Sequence, residues 1–181
     1  MSDATRLSGR KILIIATDGF EQSELEVPRD TLSDAGAEVH VASLEGRDIT
    51  GWDDDDWGDD VSVDLTIGQA NAEDYDALVL PGGQMNPDVL RTDDDAMALI
   101  RAFADAGKPI AAICHAPWLL IEAGLTSGKR ITSYHSIETD VRNSGAIFVD
   151  ESVVVDGNII TSRNPDDLSD FSNAIIDALA T

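Results

Sequence analysis

The sequence predicts an α/β fold in which a mainly parallel sheet is covered by helices on both faces. Continuous apolar runs are typical of strands buried on both sides, and residues 11–17 and 76–80 are two such runs. Amphipathic segments of helical length alternate with them, as at residues 167–179. Strands and helices that alternate along a chain are expected to form one parallel sheet with crossover helices.

The first half of the chain supplies elements in this alternating order. Asp18, with Glu21 three residues later, predicts a capping box at a helix start, and Gly36 predicts the end of that helix. Residues 44–60 are rich in Asp and Gly and predict a loop, which Trp52 and Trp57 are expected to anchor. The other predicted elements are strands at 11–17, 37–43, 61–65 and 76–80, and a helix at 87–106.

The second half of the chain continues the alternation. Asp156 and Gly157 predict a tight turn between two strands. The predicted strands are 108–114, 131–133, 146–149, 152–155 and 158–161, and the predicted helices are 115–123, 136–143 and 167–179. Since the 181 residues contain no internal repeat and no clear linker, we expect a single domain over residues 10–181, preceded by a disordered tail at residues 1–9.

Acidic residues dominate the charge: 35 Asp and Glu stand against 12 Lys and Arg, which gives a net charge of −23. A nucleic-acid partner is not expected, because phosphate binding requires a basic face. The charge could form a site for metals or for a basic partner, or it could be spread over the surface of a protein from a salt-loaded cytoplasm. The acids are scattered and lysine is scarce, which favours the halophilic interpretation.

The sequence also bears on location and cofactors. No apolar run approaches the ~20 residues that span a bilayer, and the run at 12–16 is too short for a signal peptide, so we expect a cytoplasmic protein without a membrane partner. Cys114 is the one cysteine, which excludes an intramolecular disulfide and a cysteine-based zinc site. No dinucleotide fingerprint follows the first strand, and the histidines are scattered, so we expect neither a cofactor nor a metal.

Cys114 is the candidate nucleophile, because a buried strand ends there and a helix follows at once. A nucleophile at such a sharp turn needs small neighbours two residues away on either side, and Ala112 and Ala116 satisfy this. Pro117 suits the first turn of a helix, and the positive end of the helix dipole favours a thiolate. The alternative is a buried core cysteine, which is the commoner fate of a lone Cys.

His115 and a glycine pair could complete this site. His115 could act as acid or base if the turn lets its side chain and that of Cys114 border one pocket; otherwise it is a surface histidine at a helix start. Gly82 and Gly83 follow a predicted strand, and their N–H groups, with that of His115, could form an oxyanion hole. The alternative for the glycines is an ordinary turn between a strand and a helix.

Several segments together resemble the DJ-1/PfpI superfamily, specifically its PfpI-like intracellular protease I branch. They occur in family order over nearly the whole chain. The segments are residues 18–24 (DGFEQSE), 75–83 (YDALVLPGG), 86–91 (NPDVLR), 112–117 (AICHAP), 132–134 (TSY), 140–145 (DVRNSG) and 155–163 (VDGNIITSR).

This resemblance implies a flavodoxin-like three-layer sandwich with a nucleophile elbow. It implies Cys114 as the nucleophile and His115 as the catalytic histidine, with Gly82, Gly83 and Tyr134 at the substrate. It also places a glutamate of the first helix against the sulfur. Glu21 and Glu24 are both candidates, and the alignment favours Glu24.

The resemblance further implies an acidic residue after the glycine turn that reaches the histidine of a neighbouring subunit. The matching residue is Asp88, so we expect a homo-oligomer, a dimer or larger. The alternative role for Asp88 is to pair with the dipole of its own helix. The chain departs from the family pattern at Ala116, usually Gly, and at His135, often Pro, which could line the pocket or face solvent.

The function implied by the resemblance is a cysteine-dependent hydrolase. Two reactions remain open: peptide hydrolysis, and glyoxalase or deglycase chemistry on methylglyoxal and its adducts. The competing interpretations are a redox or stress sensor built on an oxidisable Cys114, and a chaperone-like oligomer that does not depend on the thiol.

Overall fold

A computed structural model, which describes residues 5–180, shows the predicted alternation of strands and helices. The strands are β1 (Lys11–Ile15), β2 (Glu38–Ser43), β3 (Ile49–Asp53), β4 (Asp56–Val61), β5 (Leu65–Thr66), β6 (Ala77–Leu80), β7 (Ile110–Ile113), β8 (Arg130–Ile131), β9 (Ile147–Phe148), β10 (Val154–Asp156) and β11 (Ile159–Ser162). The α-helices are α1 (Gln22–Asp34), α2 (Met85–Leu90), α3 (Asp94–Asp105), α4 (Pro117–Glu122), α5 (Glu138–Asn143) and α6 (Leu168–Leu179).

The central sheet has seven strands in the order β10-β11-β7-β6-β1-β2-β5. All neighbouring strands in it run parallel except β10, which pairs antiparallel with β11. Strands β3 and β4 form a separate hairpin, and β8 pairs with β9. The prediction of a mainly parallel sheet is confirmed.

Helices pack on both faces of this sheet because side chains alternate along each strand. In β1, Leu13 and Ile15 face a core that also contains side chains of α3 and α4. Ile12 and Ile14 face the opposite core, to which α1 and α6 contribute. The result is the three-layer, flavodoxin-like sandwich that the resemblance implied.

The register of the sheet places two predicted turns side by side. Leu80, near the end of β6, pairs with Ala112 in β7, so the glycines after β6 and Cys114 after β7 leave the same edge. Ser162, at the end of β11, pairs with Ile113 on the other side of β7. In parallel α/β sheets, this carboxyl edge is where ligands bind.

The acidic segment predicted as a loop is a β-hairpin. Ile49 pairs with Val61 and Trp52 with Trp57 across it, and the indole rings of the two tryptophans meet edge-to-face with centroids 5.4 Å apart. Asp54 supplies the turn with a positive φ of 53°, which Asp tolerates better than most residues. The loop prediction was wrong because it rested on the Asp-rich composition, whereas the β-branched and aromatic residues of the same segment favour strands.

Two helix predictions were also wrong at their boundaries. The first helix is capped by Glu21, whose carboxylate accepts from Glu24 N at 2.8 Å. Asp18 instead accepts from Thr50 N and pairs with Arg47, so it ties the hairpin to the end of β1. The predicted helix at 87–106 is two helices, because the Asp93 side chain caps a new start by accepting from Ala96 N.

The prediction of a disordered tail at residues 1–9 is wrong for residues 5–9. Leu7 is fully buried in the core beside α1 and α6, and its N–H donates to Ala35 O at 2.9 Å. The rest of that predicted tail, residues 1–4, lies outside the described residues, as does position 181 at the end of the predicted domain.

Among the described residues, no helix is both long and apolar enough to cross a membrane.

Candidate functional site

Cys114 sits on a strained turn between β7 and α4. Its φ is +65°, a left-handed conformation that a residue with a Cβ rarely adopts and that commonly marks a functional site. Two backbone bonds hold the turn: Cys114 N donates to Ser162 O at 3.0 Å, and Tyr134 N donates to Cys114 O at 2.8 Å. The side chain is buried, and only 6% of the residue is exposed.

The turn brings the side chains of Cys114 and His115 together although they are adjacent in sequence. Cys114 Sγ lies 3.2 Å from His115 Nδ1, and His115 Nε2 lies 3.2 Å from Ser136 Oγ. The imidazole stacks on Tyr134 with ring centroids 4.8 Å apart and meets the edge of Trp118 at 5.3 Å. These contacts fix the ring plane, so Nδ1 stays directed at the sulfur.

The His115 imidazole is suited to accept a proton. Burial lowers the pKa of His115, and the nearby charge of His135 lowers this pKa further, so the ring is neutral near pH 7. When Nε2 carries the ring proton and donates it to Ser136 Oγ, Nδ1 has a lone pair for the Cys114 thiol proton.

Positions 82 and 83 require glycine because neighbouring atoms occupy the space that a Cβ would take. A Cβ on Gly82 would lie 2.5 Å from Glu24 Oε2, 2.7 Å from Ile113 O and 2.8 Å from Cys114 Cβ. Gly83 has a φ of +77°, and a Cβ there would lie 2.5 Å from Gly19 O. The backbone N–H groups of Gly83 and His115 lower the pKa of the Cys114 thiol by hydrogen bonding to its sulfur, which favours the thiolate. The N–H of Gly82, also a candidate for the oxyanion hole, donates instead to Glu24 Oε2.

Glu24 is the glutamate that α1 presents to this turn. It is fully buried, and its Oε2 accepts from Gly82 N at 2.8 Å, whereas its Oε1 has no hydrogen-bond partner among the described residues. Burial, with a smaller contribution from the charge of Glu21, raises the pKa of Glu24 to about 8. The carboxyl is therefore largely protonated at neutral pH.

The protonation of Glu24 controls the charge of Cys114. Burial raises the pKa of the thiol, and a negative charge on Glu24 would raise it further, whereas the Gly83 and His115 N–H groups lower it. Because both pKa values are raised, both side chains are mainly protonated at neutral pH. A protonated Glu24 removes the repulsion and can donate to the sulfur once His115 has taken the thiol proton.

A cysteine on a left-handed turn, with a histidine at its sulfur and a buried glutamate from the first helix, is the arrangement that the sequence resemblance implied. The model of the DJ-1/PfpI family matches residues 10–178. The chain belongs to the DJ-1/PfpI family. Within the described part, no group of three or more His, Cys, Asp or Glu side chains is arranged to hold a metal ion.

Relatives in this family cover most of the chain. It is similar to a deglycase of Thermococcus kodakarensis, with 44% identity over 158 residues that make up 87% of this chain and 92% of that protein. Deglycase PfpI of Pyrococcus furiosus shows the same identity and coverage. YraA of Bacillus subtilis, named as a candidate cysteine protease, is 42% identical over 94% of this chain and 98% of its own.

Solved structures of the family share the fold. DJ-1beta of Drosophila melanogaster has a TM-score of 0.85 and 34% identity, over 94% of this chain and 90% of that one. A two-domain protein of Anabaena variabilis, which also carries a ferritin-like domain, has a TM-score of 0.89 and 37% identity. That match covers 94% of this chain and 48% of the longer protein.

The family's expected acidic residue, Asp88, does not contact His115 among the described residues. It lies on the exposed side of α2, where its carboxylate pairs with the guanidinium of Arg91. Arg91 in turn lies over the Trp118 ring at 4.5 Å from the centroid, and that ring meets the edge of His115. Asp88 is therefore linked to the histidine only through other side chains.

Two residues that position the DJ-1/PfpI site were not identified from the sequence. Asn86 is fully buried; its Oδ1 accepts from Thr17 N, and its Nδ2 donates to Pro81 O and Gly82 O, so it holds the glycine turn against the end of β1. Its position next to the glycine pair was the available signal. Ser136, which contacts His115, gave no local signal because it is 21 residues away.

Proposed function

We propose that this protein is a cysteine-dependent hydrolase that acts on small reactive aldehydes, namely methylglyoxal and its adducts. The observation that carries the proposal is the 3.2 Å contact between Cys114 Sγ and His115 Nδ1 on a left-handed turn. A nucleophile, a base and backbone donors then converge on one point, as covalent catalysis on a carbonyl requires.

The reaction follows from these positions. Cys114 Sγ attacks the aldehyde carbon, and its proton passes through His115 Nδ1 to the carbonyl oxygen, which the N–H groups of Gly83 and His115 stabilise while it is charged. His115 then takes the proton from that carbon and returns it to the neighbouring carbonyl carbon, while the hydroxyl proton of the first carbon moves to the oxygen of the second, which leaves a lactate thioester on Cys114. Water hydrolyses the thioester and releases lactate and the free thiol. An adduct enters the same sequence once it collapses to the aldehyde, and the thiol or amine that held the aldehyde leaves with the hydroxyl proton of the adduct.

The burial of the site supports an aldehyde over a peptide. Cys114 is 6% exposed and His115 9% exposed, so a compact electrophile reaches the sulfur more easily than an extended backbone. Relatives named as deglycases support the same choice. Peptide hydrolysis is the second candidate, supported by the relative named as a candidate cysteine protease.

The active unit in this proposal is a homo-oligomer in which Asp88 approaches His115 of another subunit. Two features support it: His115 has no carboxylate partner among the described residues, and Asp88 shares the exposed face of α2 with Met85 and Val89. Exposed apolar side chains around an acidic one are suited to contact between subunits. The cytoplasmic location expected from the sequence is part of the same proposal.

The test is to measure D-lactate formation from methylglyoxal at molar salt by the wild type and by Cys114→Ser, with casein digestion in parallel. We expect lactate formation that is lost in the variant. Casein digestion without lactate formation would favour the peptidase. No turnover in either assay would contradict an enzyme and favour the redox sensor, and the oxidation state of Cys114 would then be measured.

A further inference from the structure

The two ring nitrogens of His115 have different partners. Nδ1 lies 3.2 Å from Cys114 Sγ, and Nε2 lies 3.2 Å from Ser136 Oγ. Within residues 5–180, no carboxylate contacts either nitrogen. The partner of the second nitrogen decides which nitrogen of a histidine carries the proton. In this site that partner is a serine hydroxyl.

The hydroxyl of Ser136 is not used by the local structure. Ser136 lies in a short 3-10 turn (His135–Ile137) directly before α5, close to where a serine commonly caps a helix. Neither this turn nor α5 begins with a side-chain cap bond. The hydroxyl instead reaches a residue 21 positions away in the sequence, namely His115. A capping role therefore does not explain the serine.

The backbone fixes the position of Ser136 relative to the nucleophile. Tyr134 N donates to Cys114 O at 2.8 Å, and Ile137 N donates to Tyr134 O at 3.2 Å. The Ile137 side chain is buried. Since Ser136 lies between these two anchored residues, its hydroxyl is held beside the imidazole.

The state of the thiol sets the direction of both hydrogen bonds. Burial raises the pKa of Cys114, so the resting thiol keeps its proton. A protonated thiol can only donate to Nδ1, which must then present its lone pair. The ring proton is therefore on Nε2 and donates to Ser136 Oγ. When the thiol proton moves to Nδ1, the same Oγ accepts from the imidazolium.

We propose that Ser136 is a positioning residue, which holds the proton of His115 on Nε2 and so keeps Nδ1 free to accept the thiol proton. The inference rests on the proposed function, because it concerns the base of the same reaction. Nε2 is also the nitrogen that the Asp88 carboxylate of another subunit would approach. Since a hydroxyl accepts one hydrogen bond and donates another, Ser136 can join the imidazole to that carboxylate.

The other titratable and charged groups around His115 stay in place when position 136 is changed. His135 is the one whose charge lowers the pKa of His115, and it lies on the far side of the Tyr134 ring. A change in this pKa can therefore be assigned to the group at position 136. The remaining groups are Cys114 at Nδ1, Glu24 beside Cys114, the stacked Tyr134, and Arg91 and Asp140, which both contact Trp118.

The kinetic test replaces Ser136 by Ala, which removes the acceptor, and by Thr, which keeps it. Ser136→Ala should lower kcat for methylglyoxal about fivefold with KM unchanged, the equivalent of one neutral hydrogen bond, and Ser136→Thr should keep the wild-type kcat. Thr139→Ala is the matched control, because it removes an exposed hydroxyl three residues further along. An equal loss in both alanine variants, or a loss in Ser136→Thr as large as in Ser136→Ala, would overturn the proposal.

An NMR titration separates this proposal from the proposed reaction, because it needs no turnover. The chain has three histidines, so their imidazole ¹⁵N signals can be assigned with His40→Gln and His135→Gln. We expect neutral His115 to carry its proton on Nε2. Its pKa should fall in Ser136→Ala, where the imidazolium loses an acceptor, and rise by about one unit in Ser136→Asp, where it gains an opposite charge.

The outcomes of the two tests are distinct. The expected tautomer and pKa order without any lactate formation would support the role of Ser136 and contradict the proposed reaction. A proton on Nδ1 of neutral His115, or a His115 pKa that Ser136→Ala leaves unchanged, would overturn the role of Ser136 whether or not lactate forms.

Discussion

At the scale of single residues, the conformation of Cys114 shows that the site is maintained at a cost in stability. A left-handed φ of +65° costs a residue with a Cβ about 1 kcal/mol relative to glycine. We expect Cys114→Gly to be more stable than Cys114→Ala by about that amount, because both lack the sulfur and only glycine relieves the strain. Chemical denaturation of the two variants gives the difference, and equal stabilities would mean that the turn is unstrained.

The raised pKa of Glu24 makes a second prediction, on the dependence of stability on pH. The ordinary pKa is 4.5 and the folded value is about 8, so the folded state binds the proton more tightly, and stability falls as pH rises between these values. The side chain in Glu24→Gln stays neutral at every pH. Relative to that variant, the unfolding free energy of the protein with Glu24 should fall by at most about 1.4 kcal/mol per pH unit in this window.

The Glu24 comparison is made in a Cys114→Ala background, so that no thiol titrates beside the carboxyl. Denaturation curves at pH 5, 6, 7 and 8 should show the gap between Cys114→Ala and the double variant with Glu24→Gln widening with pH. A gap that is independent of pH would mean that Glu24 ionises as readily in the folded as in the unfolded chain.

At the scale of elements, the break between α2 and α3 depends on one cap. The Asp93 carboxylate accepts from Ala96 N at 2.8 Å and starts α3, which packs against the sheet. Asp93→Ala should cost about 1 kcal/mol of unfolding free energy. The neighbouring Asp94 is the matched control because its replacement removes the same charge without removing the cap bond. If both alanine variants lose equal stability, the cap contributes nothing.

An element could be predicted from the sequence when the residues that stabilise it lie close together in the chain. Strands β6 and β7 were predicted because continuous apolar runs indicate strands that are buried on both faces. The site was located for the same reason, since the glycine turn and Cys114 directly follow those strands. The hairpin β3–β4 was missed because its stability depends on the cross-strand contact between Trp52 and Trp57, which composition does not reveal.

The contacts that tune the site could not be predicted, because they join distant segments. Gly82 and Glu24 are 58 residues apart, and their hydrogen bond exists only once α1 packs against the edge of the sheet. The resemblance favoured Glu24 over Glu21, and the structure places Glu24 in the site and Glu21 at the helix cap. The sequence pattern alone left both carboxylates open.

At the scale of the whole molecule, we expect the acidic composition to make folding dependent on salt. With 35 acidic side chains and 12 basic ones, most carboxylates have no cation to pair with, so repulsion outweighs attraction over the surface. Added salt weakens both, but the ion pairs that it weakens are mostly exposed and contribute about 0–1 kcal/mol each. We therefore expect the net effect of screening to be stabilisation of the fold.

The prediction is that the unfolding free energy rises as KCl increases from ~0.1 to ~1 M, over which the Debye length falls from about 10 Å to about 3 Å. The control is a variant with fewer acidic charges. The tip of the β3–β4 hairpin is suited to it, because Asp53, Asp54 and Asp55 adjoin one another there. Their simultaneous replacement by Asn should raise stability at low salt and reduce its dependence on salt, since part of the repulsion is gone. Sucrose at equal osmolarity, which does not screen charge, should leave the difference between the wild type and this variant unchanged. A wild-type stability that is independent of KCl would contradict the halophilic interpretation and would mean that the carboxylates lie too far apart to repel one another in the folded chain.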